Sequence, residues 1–443
     1  MSKRVALINP GKEERFDVHE PLNIGYIASF LEQNGVDTRI FDELAGDAVE
    51  DNILTFKPDI VGITATTPFA SIAYRHATYC RNLGIPTVIG GVHASVATQD
   101  VLKYADMVVK GEGEMPMLDI VLNGIRDKII CRPHIKSLDS FPPPAYHLMN
   151  MEYYIASRDR SPYDSALIFV PKHTKVASML TSRGCPHSCI FCHNSWKELP
   201  FRSLSPERVI ADMKLLIDMY GIGSIIFYDD DFFAIRKRAQ RICELIIENR
   251  LNLIWGCNGR ADTVDKATLE IAKAAGCRQV AFGIESGSQK ILDILNKKTT
   301  VQQNENAIRM CKEVEIMSAA YFILGSPHET KLDLKLTREF ILRNDIDCIG
   351  ICIATPFPGT KLWDWCVEQD FVPQDPDWSL FSPDNSPFQV SQYITPDFIR
   401  QYRSRIFLSF ALKKNSLRKF LGIIVDNPSE SVKKACKLFR HLI

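Results

Sequence analysis

Short apolar runs alternate with amphipathic helical patterns over residues 1–130. The apolar runs predict strands at Val5–Ile8, Thr38–Phe41, Ile60–Thr64, Thr87–Ile89 and Met107–Val109. The longer patterns predict helices at Asn23–Asn34, Ala45–Phe56, Ala70–Leu83, Gln99–Lys103 and Met115–Leu122. This alternation is typical of an α/β fold, and we expect a doubly wound, Rossmann-like parallel sheet with helices on both faces. Ligands of such sheets bind beyond the carboxyl ends of the strands.

The same alternation returns between residues 175 and 365. Strands are predicted at Val176–Thr181, Ser224–Tyr228, Leu253–Gly256, Gln279–Phe282, Ala319–Leu324 and Cys348–Ala354. Helices are predicted at Pro206–Met219, Ile235–Asn249, Lys266–Ala275, Gln289–Leu295, Gln303–Val314 and Leu332–Arg343. Six βα units favour a partial (β/α)6 barrel of the TIM type, with its site at the carboxyl ends of the strands.

The two patterned regions lie on either side of a stretch without clear periodicity. We therefore expect domains at residues 1–130 and 175–365, a linker at 131–174 and a helical C-terminal region at 366–443. Three consecutive prolines, Pro142 to Pro144, support the linker because they cannot continue a helix and favour extended chain.

The C-terminal region is strongly basic. From Arg400 to Arg440 it carries eleven Lys and Arg residues against two acids, and apolar residues interleave at helical spacing in Ile399–Leu421. One or two amphipathic helices that pack on the domains are the preferred interpretation. Contact of these basic helices with an anionic membrane is the alternative.

Composition sets bounds on the whole protein. Its 443 residues are enough for two or three domains, and 46% hydrophobic with 24% charged residues is typical of soluble globular proteins. Lys+Arg and Asp+Glu both total 53, so no overall field favours nucleic acid as a partner. Thirteen cysteines without a signal peptide or a long apolar stretch favour the reducing cytoplasm.

Three cysteines follow one predicted strand at the spacing C-x3-C-x2-C. Cys185, Cys189 and Cys192 lie on one loop, where their thiolates can converge on an inorganic centre. Four thiolates normally hold a four-iron cluster, so three would leave one iron open to another ligand. An open position is the mark of a chemical site. A structural zinc site that uses His187 or His193 as fourth ligand is the alternative.

This loop resembles that of the radical S-adenosylmethionine (SAM) superfamily, which implies a [4Fe-4S] cluster with SAM at its open iron. Polar residues follow the other predicted strands, and the resemblance assigns an amino-group contact to the second strand end and a ribose contact to Glu285. Adjacent carboxylates at a strand end are costly unless they face water or a cation. The SAM contacts predicted on this basis are Asp230 or Asp231, Asn258, Arg260, Glu285, Ser286 and Gly325.

One departure from the superfamily lies after the fifth strand of this region. Related members often read G-x-P-G-E-T there, whereas this chain has His328 in place of the second glycine. We expect either an altered loop conformation or an extra polar group near the substrate, and a surface histidine is the simpler interpretation.

The strand ends of the first region carry glycines and hydroxyls. Paired glycines let backbone approach a bulky ligand closely, although tight turns alone would also explain them. Pro21–Tyr26, Lys57–Ile63, Gly90–Ala94 and Gly111–Glu114 together resemble the cobalamin-binding domain of class B radical SAM enzymes. The cobalamin contacts predicted on this basis are Asn9, Thr64, Thr66, Gly90, Gly91, His93 and Glu112.

The loop that supplies an axial histidine in other cobalamin proteins, D-x-H-x-x-G, is missing after the first predicted strand. The resemblance therefore implies that cobalamin is held without a histidine on cobalt. His93 is expected on a loop, either near the tail of cobalamin or solvated.

The combined resemblance implies reductive cleavage of SAM to a 5′-deoxyadenosyl radical, and methylation of an unactivated carbon or phosphinate centre through methylcobalamin. The partners would be a small-molecule substrate and an electron donor such as flavodoxin or ferredoxin. Radical oxidation, cyclisation or ring rearrangement without methyl transfer is one alternative, and a cobalamin-binding sensor with a vestigial barrel is another. A methylthiotransferase would need further N-terminal cluster cysteines, and residues 1–130 offer only Cys80.

Overall fold

A computed structural model describes residues 3–11, 19–124, 127–155, 169–171, 173–193 and 200–413. The described chain forms two separate six-stranded parallel sheets with helices packed against them, and a short two-stranded ribbon. The predicted α/β architecture is therefore confirmed. The part of the predicted C-terminal helices beyond residue 413 lies outside the described residues.

The first sheet has the strand order β2-β1-β3-β4-β5-β6. Its strands are β1 (Arg4–Asn9), β2 (Asp37–Asp42), β3 (Ile60–Thr64), β4 (Thr87–Gly90), β5 (Met107–Lys110) and β6 (Ile129–Cys131). The helices in this part are α1 (Leu22–Gln33), α2 (Val49–Phe56), α3 (Ala70–Asn82), α4 (Val92–Val96), α5 (Thr98–Val101) and α6 (Glu114–Asn123). The strand order reverses between β1 and β3, which is where sheets of this kind open a crevice for a ligand.

The stretch that was predicted to be a linker contains ordered structure. Helix α7 (Met151–Ile155) was not predicted, and neither was the edge strand β6. Phe141, Tyr146 and Tyr154 from this stretch are buried, so it packs as part of the core rather than standing apart.

The second sheet has the order β14-β13-β12-β11-β10-β7, and every neighbouring pair is parallel. Its strands are β7 (Val176–Met179), β10 (Ser224–Phe227), β11 (Ile254–Gly259), β12 (Cys277–Glu285), β13 (Met317–Leu324) and β14 (Cys348–Ile353). The helices of this part are α8 (Pro206–Tyr220), α9 (Arg236–Glu248), α10 (Lys266–Ala274), α11 (Gln289–Ile294), α12 (Val301–Glu313) and α13 (Lys331–Arg343). Because β7 and β14 remain edges, the sheet is the predicted partial barrel and not a closed one.

Hydroxyl side chains fix where several of these helices begin. Ser205 precedes Pro206, and its side chain accepts a hydrogen bond from the backbone N–H of Arg208 at 3.2 Å. Thr300 and Thr330 form complete capping boxes at α12 and α13. Such caps satisfy backbone donors that the first helical turn leaves unpaired, so each strand passes into its helix at a defined residue.

The two sheets contact each other through buried polar groups. The carboxylate of Glu20 accepts hydrogen bonds from the backbone N–H of Ser178 on edge strand β7, at 3.3 and 3.2 Å. The hydroxyl of Tyr26 donates to the carbonyl of Leu180 at 3.4 Å. These contacts fix the edge of the second sheet against the first.

The C-terminal part contains α14 (Lys361–Glu368) and α15 (Pro396–Ala411), and α15 contacts β14 and α13 of the second part. Helix α15 buries Ile399 and Ile406, which confirms the predicted packing for the portion of the basic region that is described. Trp378 donates from its indole N–H to Asp100 of the first part at 2.7 Å. Within the described ranges, no helix is both long and apolar enough to cross a membrane.

Candidate functional site

A cavity of about 310 Å³ lies at the carboxyl ends of the first sheet. Four of the predicted cobalamin contacts line it, namely Thr64, Gly90, Gly91 and Glu112. Leu180, Arg183, Gly184 and His193 close it from the second part of the chain. The cavity therefore lies between the strand ends of the first sheet and the cysteine loop.

Gly91 shows why a glycine is needed at this edge. Its φ is +93°, and a Cβ there would lie 2.7 Å from the carbonyl oxygen of Ala65. Next to it, the hydroxyl of Thr64 accepts a hydrogen bond from the amide of Asn23 at 2.8 Å. The cavity wall here is backbone and small side chains, which suits the close approach of a broad ligand.

The other three predicted cobalamin contacts do not line the cavity. Asn9 donates to Asp42 at 2.9 Å, and Thr66 is exposed. His93 lies in helix α4 with no solvent exposure, so the prediction of a loop or solvated histidine was wrong. Nothing in the sequence marks this burial, because it depends on packing between α3 and α4.

The ring of His93 is held by two hydroxyls. Its Nε2 lies 2.8 Å from the hydroxyl of Tyr74, and its Nδ1 lies 3.3 Å from that of Thr67. Burial lowers the pKa of His93 to about 4, although Asp100 acts in the opposite direction. The ring is therefore a neutral, structural member of the first part of the chain.

The cysteine loop lies between β8 (Ser182–Arg183) and β9 (Arg202–Ser203), the two strands of the separate ribbon. Cys189 is buried, whereas Cys185 and Cys192 are partly exposed. Burial raises the pKa of Cys185 to about 11, so this thiol must lose a proton when it binds a metal. Among the residues that the structure describes, no three His, Cys, Asp or Glu side chains are already arranged to hold a metal ion.

Two cations face the thiol of Cys189. Nη1 of Arg260 lies 3.8 Å from its sulfur, and Lys297 interacts with it electrostatically. Positive charge beside a cysteine fits a loop that ligates an iron–sulfur cluster, because such clusters are held by thiolates.

The carboxylates at the end of β10 have three different environments. Asp229 is fully buried and accepts hydrogen bonds from the backbone N–H and hydroxyl of Thr181, at 3.0 and 2.9 Å. Asp230 is exposed. Asp231 is buried, and its Oδ2 has no hydrogen-bond partner within the described ranges. Nε2 of His187 lies 3.8 Å from this oxygen, beyond hydrogen-bond distance. Because Oδ2 is buried and accepts no hydrogen bond, Asp231 is the member of the three that best fits an ammonium group.

Arg260 already has a carboxylate partner. Its Nε and Nη2 donate to Asp262 at 3.0 and 3.2 Å, and Nη2 also donates to the carbonyl of Lys297 at 2.6 Å. The neighbouring Asn258 donates to the backbone carbonyl of Asp229 at 3.3 Å. Both predicted SAM contacts at the end of β11 therefore also hold the strand ends together.

Glu285 ends β12 and is paired with a residue that the sequence did not indicate. Lys297 donates to its Oε1 at 2.8 Å. The pair lies directly over Gly283, where a Cβ would meet the two side chains at 2.4 and 2.8 Å. The neighbouring Ser286 is fully buried, and its hydroxyl forms a hydrogen bond with that of Thr337. Ser286 therefore packs behind the site.

The loop after β13 keeps a glycine-like backbone at its histidine. His328 has a φ of +57°, so the loop retains the left-handed turn in spite of the substitution. Gly325 precedes it with a φ of +86° and donates its N–H to Glu329. Glu329 is fully buried, and this burial raises its pKa to about 8.

Known proteins share both halves of this arrangement. Residues 13–121 match the model of the B12 binding domain, and residues 179–341 match that of the radical SAM superfamily. The chain is 32% identical over 427 residues to the uncharacterized methyltransferase PH0819 of Pyrococcus horikoshii, covering 90% of this chain and 89% of that protein. This chain belongs to the cobalamin-dependent radical SAM enzymes.

Other members of this enzyme family differ in what they make. The anaerobic magnesium-protoporphyrin IX monomethyl ester cyclase of Rubrivivax gelatinosus is 29% identical over 460 residues, covering 94% of this chain and 80% of the relative. The structure of the radical SAM methyltransferase TsrM from Kitasatospora setae, with cobalamin and a [4Fe-4S] cluster bound, has the same fold. It matches with a TM-score of 0.68 at 19% identity, over 83% of this chain and 75% of that one.

The family assignment and the fold class predicted from the sequence are therefore confirmed. The individual contacts to cluster, SAM and cobalamin remain predictions, to which the structure adds Lys297 and Asp262 as neighbours of the candidate SAM site.

Proposed function

We propose that this cobalamin-dependent radical SAM enzyme methylates an unactivated carbon or phosphinate centre of a small molecule. The observation that carries this proposal is the shared cavity. Gly90 and Gly91 of the first sheet and Arg183, Gly184 and His193 of the cysteine loop line the same space. A reaction that needs both cofactors can take place only where both reach one substrate.

The residues present fit the cofactors. Cys185, Cys189 and Cys192 would hold the [4Fe-4S] cluster, and Asp231 with Glu285 would bind SAM. The cavity would take cobalamin through the backbone at Gly90 and Gly91 and the hydroxyl of Thr64. When bound, these groups supply the radical and methyl-transfer chemistry, as cofactors do in general. The structure of TsrM with cobalamin and a cluster supports this assignment.

The chain itself would contribute orientation and a dry site. Oδ2 of Asp231 accepts no hydrogen bond within the described residues and suits an ammonium group, and Glu285 presents a carboxylate to hydroxyl donors. Arg260 and Lys297 place positive charge beside Cys189. Such fixed groups hold reactants at attack distance, which accounts for a large share of enzymatic rate enhancement.

Ring formation without methyl transfer is the second candidate, because one relative of nearly full coverage is a cyclase. A sensor with a vestigial barrel is disfavoured, since Cys185, Cys189, Cys192 and Glu285 are all intact. A cytoplasmic location, with flavodoxin or ferredoxin as reductant, belongs to the proposal.

Anaerobic reconstitution of the full chain with iron, sulfide, SAM, cobalamin and reductant tests this function. A methylase converts SAM to S-adenosylhomocysteine as well as to 5′-deoxyadenosine, and gives a methylated product when its substrate is present. Formation of 5′-deoxyadenosine alone would favour the ring-forming alternative. The Cys185→Ala variant is the matched control, and it should form neither product.

A further inference from the structure

The loop that carries the three cysteines is closed at its base by two arginines. Strands β8 and β9 pair antiparallel, with Ser182 opposite Ser203 and Arg183 opposite Arg202. Arg183 lies two residues before Cys185, and Arg202 lies on the returning strand. Like charges directly opposite each other in an antiparallel pair repel, so this ribbon is unstable by itself.

A carboxylate from the first part of the chain lies between the two arginines. Glu112 accepts hydrogen bonds from Arg183 at 3.0 Å and from Arg202 at 2.8 and 3.0 Å. Glu114 accepts a further one from Arg183 at 2.7 Å. The guanidinium of Arg202 also donates to the carbonyl of Ile135 at 2.7 Å. The two guanidinium groups at the base of the loop are thereby paired with two carboxylates from the first part of the chain, which lie after β5 and at the start of α6.

These bonds are partly withdrawn from water. The side chains of Arg202 and Glu114 are 8% and 4% exposed, and those of Arg183 and Glu112 are 20% and 17% exposed. Charged hydrogen bonds of low exposure are stronger than surface ion pairs. The guanidinium of Arg183 also lies 4.9 Å from the ring centre of Tyr26 on α1, which limits its movement.

We propose that Glu112 and Glu114 are positioning residues for the iron–sulfur cluster. Acting from the segment Gly111–Glu114, which lines the cavity, they hold the base of the cysteine loop together. They thereby fix the distance between the cluster and whatever fills the cavity. This role differs from the direct cobalamin contact that the sequence suggested for Glu112, and it rests on the proposed function, because it requires a cluster on the loop.

The rate of iron release from the reconstituted full chain to an excess of chelator measures this role without catalysis. The loss of cluster absorbance reports that rate. Glu112→Gln keeps the shape and removes the charge, and we expect release about tenfold faster, the scale of losing charged hydrogen bonds. Asp119→Asn is the matched control. Asp119 lies on the same helix as Glu114 and pairs with Arg132, and no hydrogen bond from Arg183 or Arg202 to it is seen in the described residues, so this variant should release iron at the wild-type rate.

A second substitution separates positioning from general damage. In Glu112→Gln/Arg202→Gln the repulsion between the arginines is gone, so release should slow back toward the wild-type rate. Iron release is also measured for Arg202→Gln alone. If the acceleration of release in the double variant equals the product of the accelerations in the two single variants, the proposed role is wrong. It is equally wrong if Glu112→Gln behaves as Asp119→Asn does. Should Glu112→Gln fail to fold, Glu114→Gln replaces it under the same criteria. A wild-type chain that takes up no cluster would instead overturn the proposed function.

Discussion

Nζ of Lys297 lies 2.8 Å from Oε1 of Glu285, and the two side chains are only 7% and 8% exposed. The charge of Glu285 raises the pKa of Lys297 even though burial acts to lower it. The pair lies at the end of β12, beside Arg260 and the thiol of Cys189. A buried carboxylate without such a partner is costly, so Lys297 stabilises Glu285 at its position in the site.

Lys297→Met should therefore damage both stability and ligand binding. Loss of the partner leaves a buried, unpaired carboxylate, and we expect a decrease of about 3 kcal/mol in the free energy of unfolding. SAM affinity of the reconstituted enzyme should fall in parallel. Anaerobic denaturant titration and equilibrium dialysis measure the two effects. Lys298→Met, at the exposed neighbouring lysine, should change neither, and equal behaviour of the two variants would refute this role for Lys297.

Gly91→Ala should weaken cobalamin retention. The new Cβ would meet the carbonyl oxygen of Ala65 at 2.7 Å, and the backbone must shift at the cavity wall. Gly84→Ala is the matched control, because Gly84 also has a positive φ, +73°, but nothing lies within 4 Å of its Cβ position. Backbone strain should cost Gly84→Ala about 1 kcal/mol, and it should cost Gly91→Ala more, because φ of +93° with ψ of −178° is essentially restricted to glycine. Only Gly91→Ala should lose bound cobalamin after gel filtration, as read from the absorbance spectrum.

His93 should make the apoprotein sensitive to mild acid. Its pKa is about 4 in the folded protein against an ordinary value of 6.5, so below pH 6.5 the unfolded chain binds a proton that the folded chain does not. The contribution of His93 to stability is therefore constant above about pH 7 and falls as the pH decreases toward 4, by about 2 kcal/mol at pH 5.

Denaturant titrations of wild type and His93→Gln at pH 7.5 and pH 5 check this expectation. Burial also lowers the pKa of His193 to about 4, which adds to this loss, whereas burial raises the pKa of Glu329 to about 8, which opposes it. Both effects are common to the two proteins. The difference between the two proteins in their change of unfolding free energy from pH 7.5 to pH 5 gives the contribution of His93. An identical loss in the variant would show that His93 does not titrate as described.

Local pattern was sufficient to predict most of the fold. The βα alternation predicted both parallel sheets, and a cap such as Ser205 was recognisable because it acts on its own helix. The strand ends were also recognisable as the candidate site, since parallel strands bring their carboxyl ends to one edge, and a cavity lies at that edge of the first sheet. The two-residue strands β8 and β9 were not predictable, because two residues carry no periodicity.

What the sequence could not predict are partners from distant segments. Lys297 follows α11 in a polar stretch with no motif, and only the turn after that helix brings it back to Glu285. Glu112 resembled a cofactor contact, and its engagement by two arginines depends on how the two sheets meet. His93 resembled a loop residue beside two glycines, whereas packing of α4 on α3 buries it.

Anaerobic reconstitution of the wild-type chain and of Cys185→Ala, each supplied with SAM, reductant and cobalamin, tests the central claim most directly. The amounts of 5′-deoxyadenosine formed and of cobalamin bound are measured for both. The wild type should form 5′-deoxyadenosine and bind about one cobalamin per chain, whereas Cys185→Ala should bind cobalamin but form no 5′-deoxyadenosine. A wild-type chain that forms no 5′-deoxyadenosine and binds no cobalamin would contradict the proposed function.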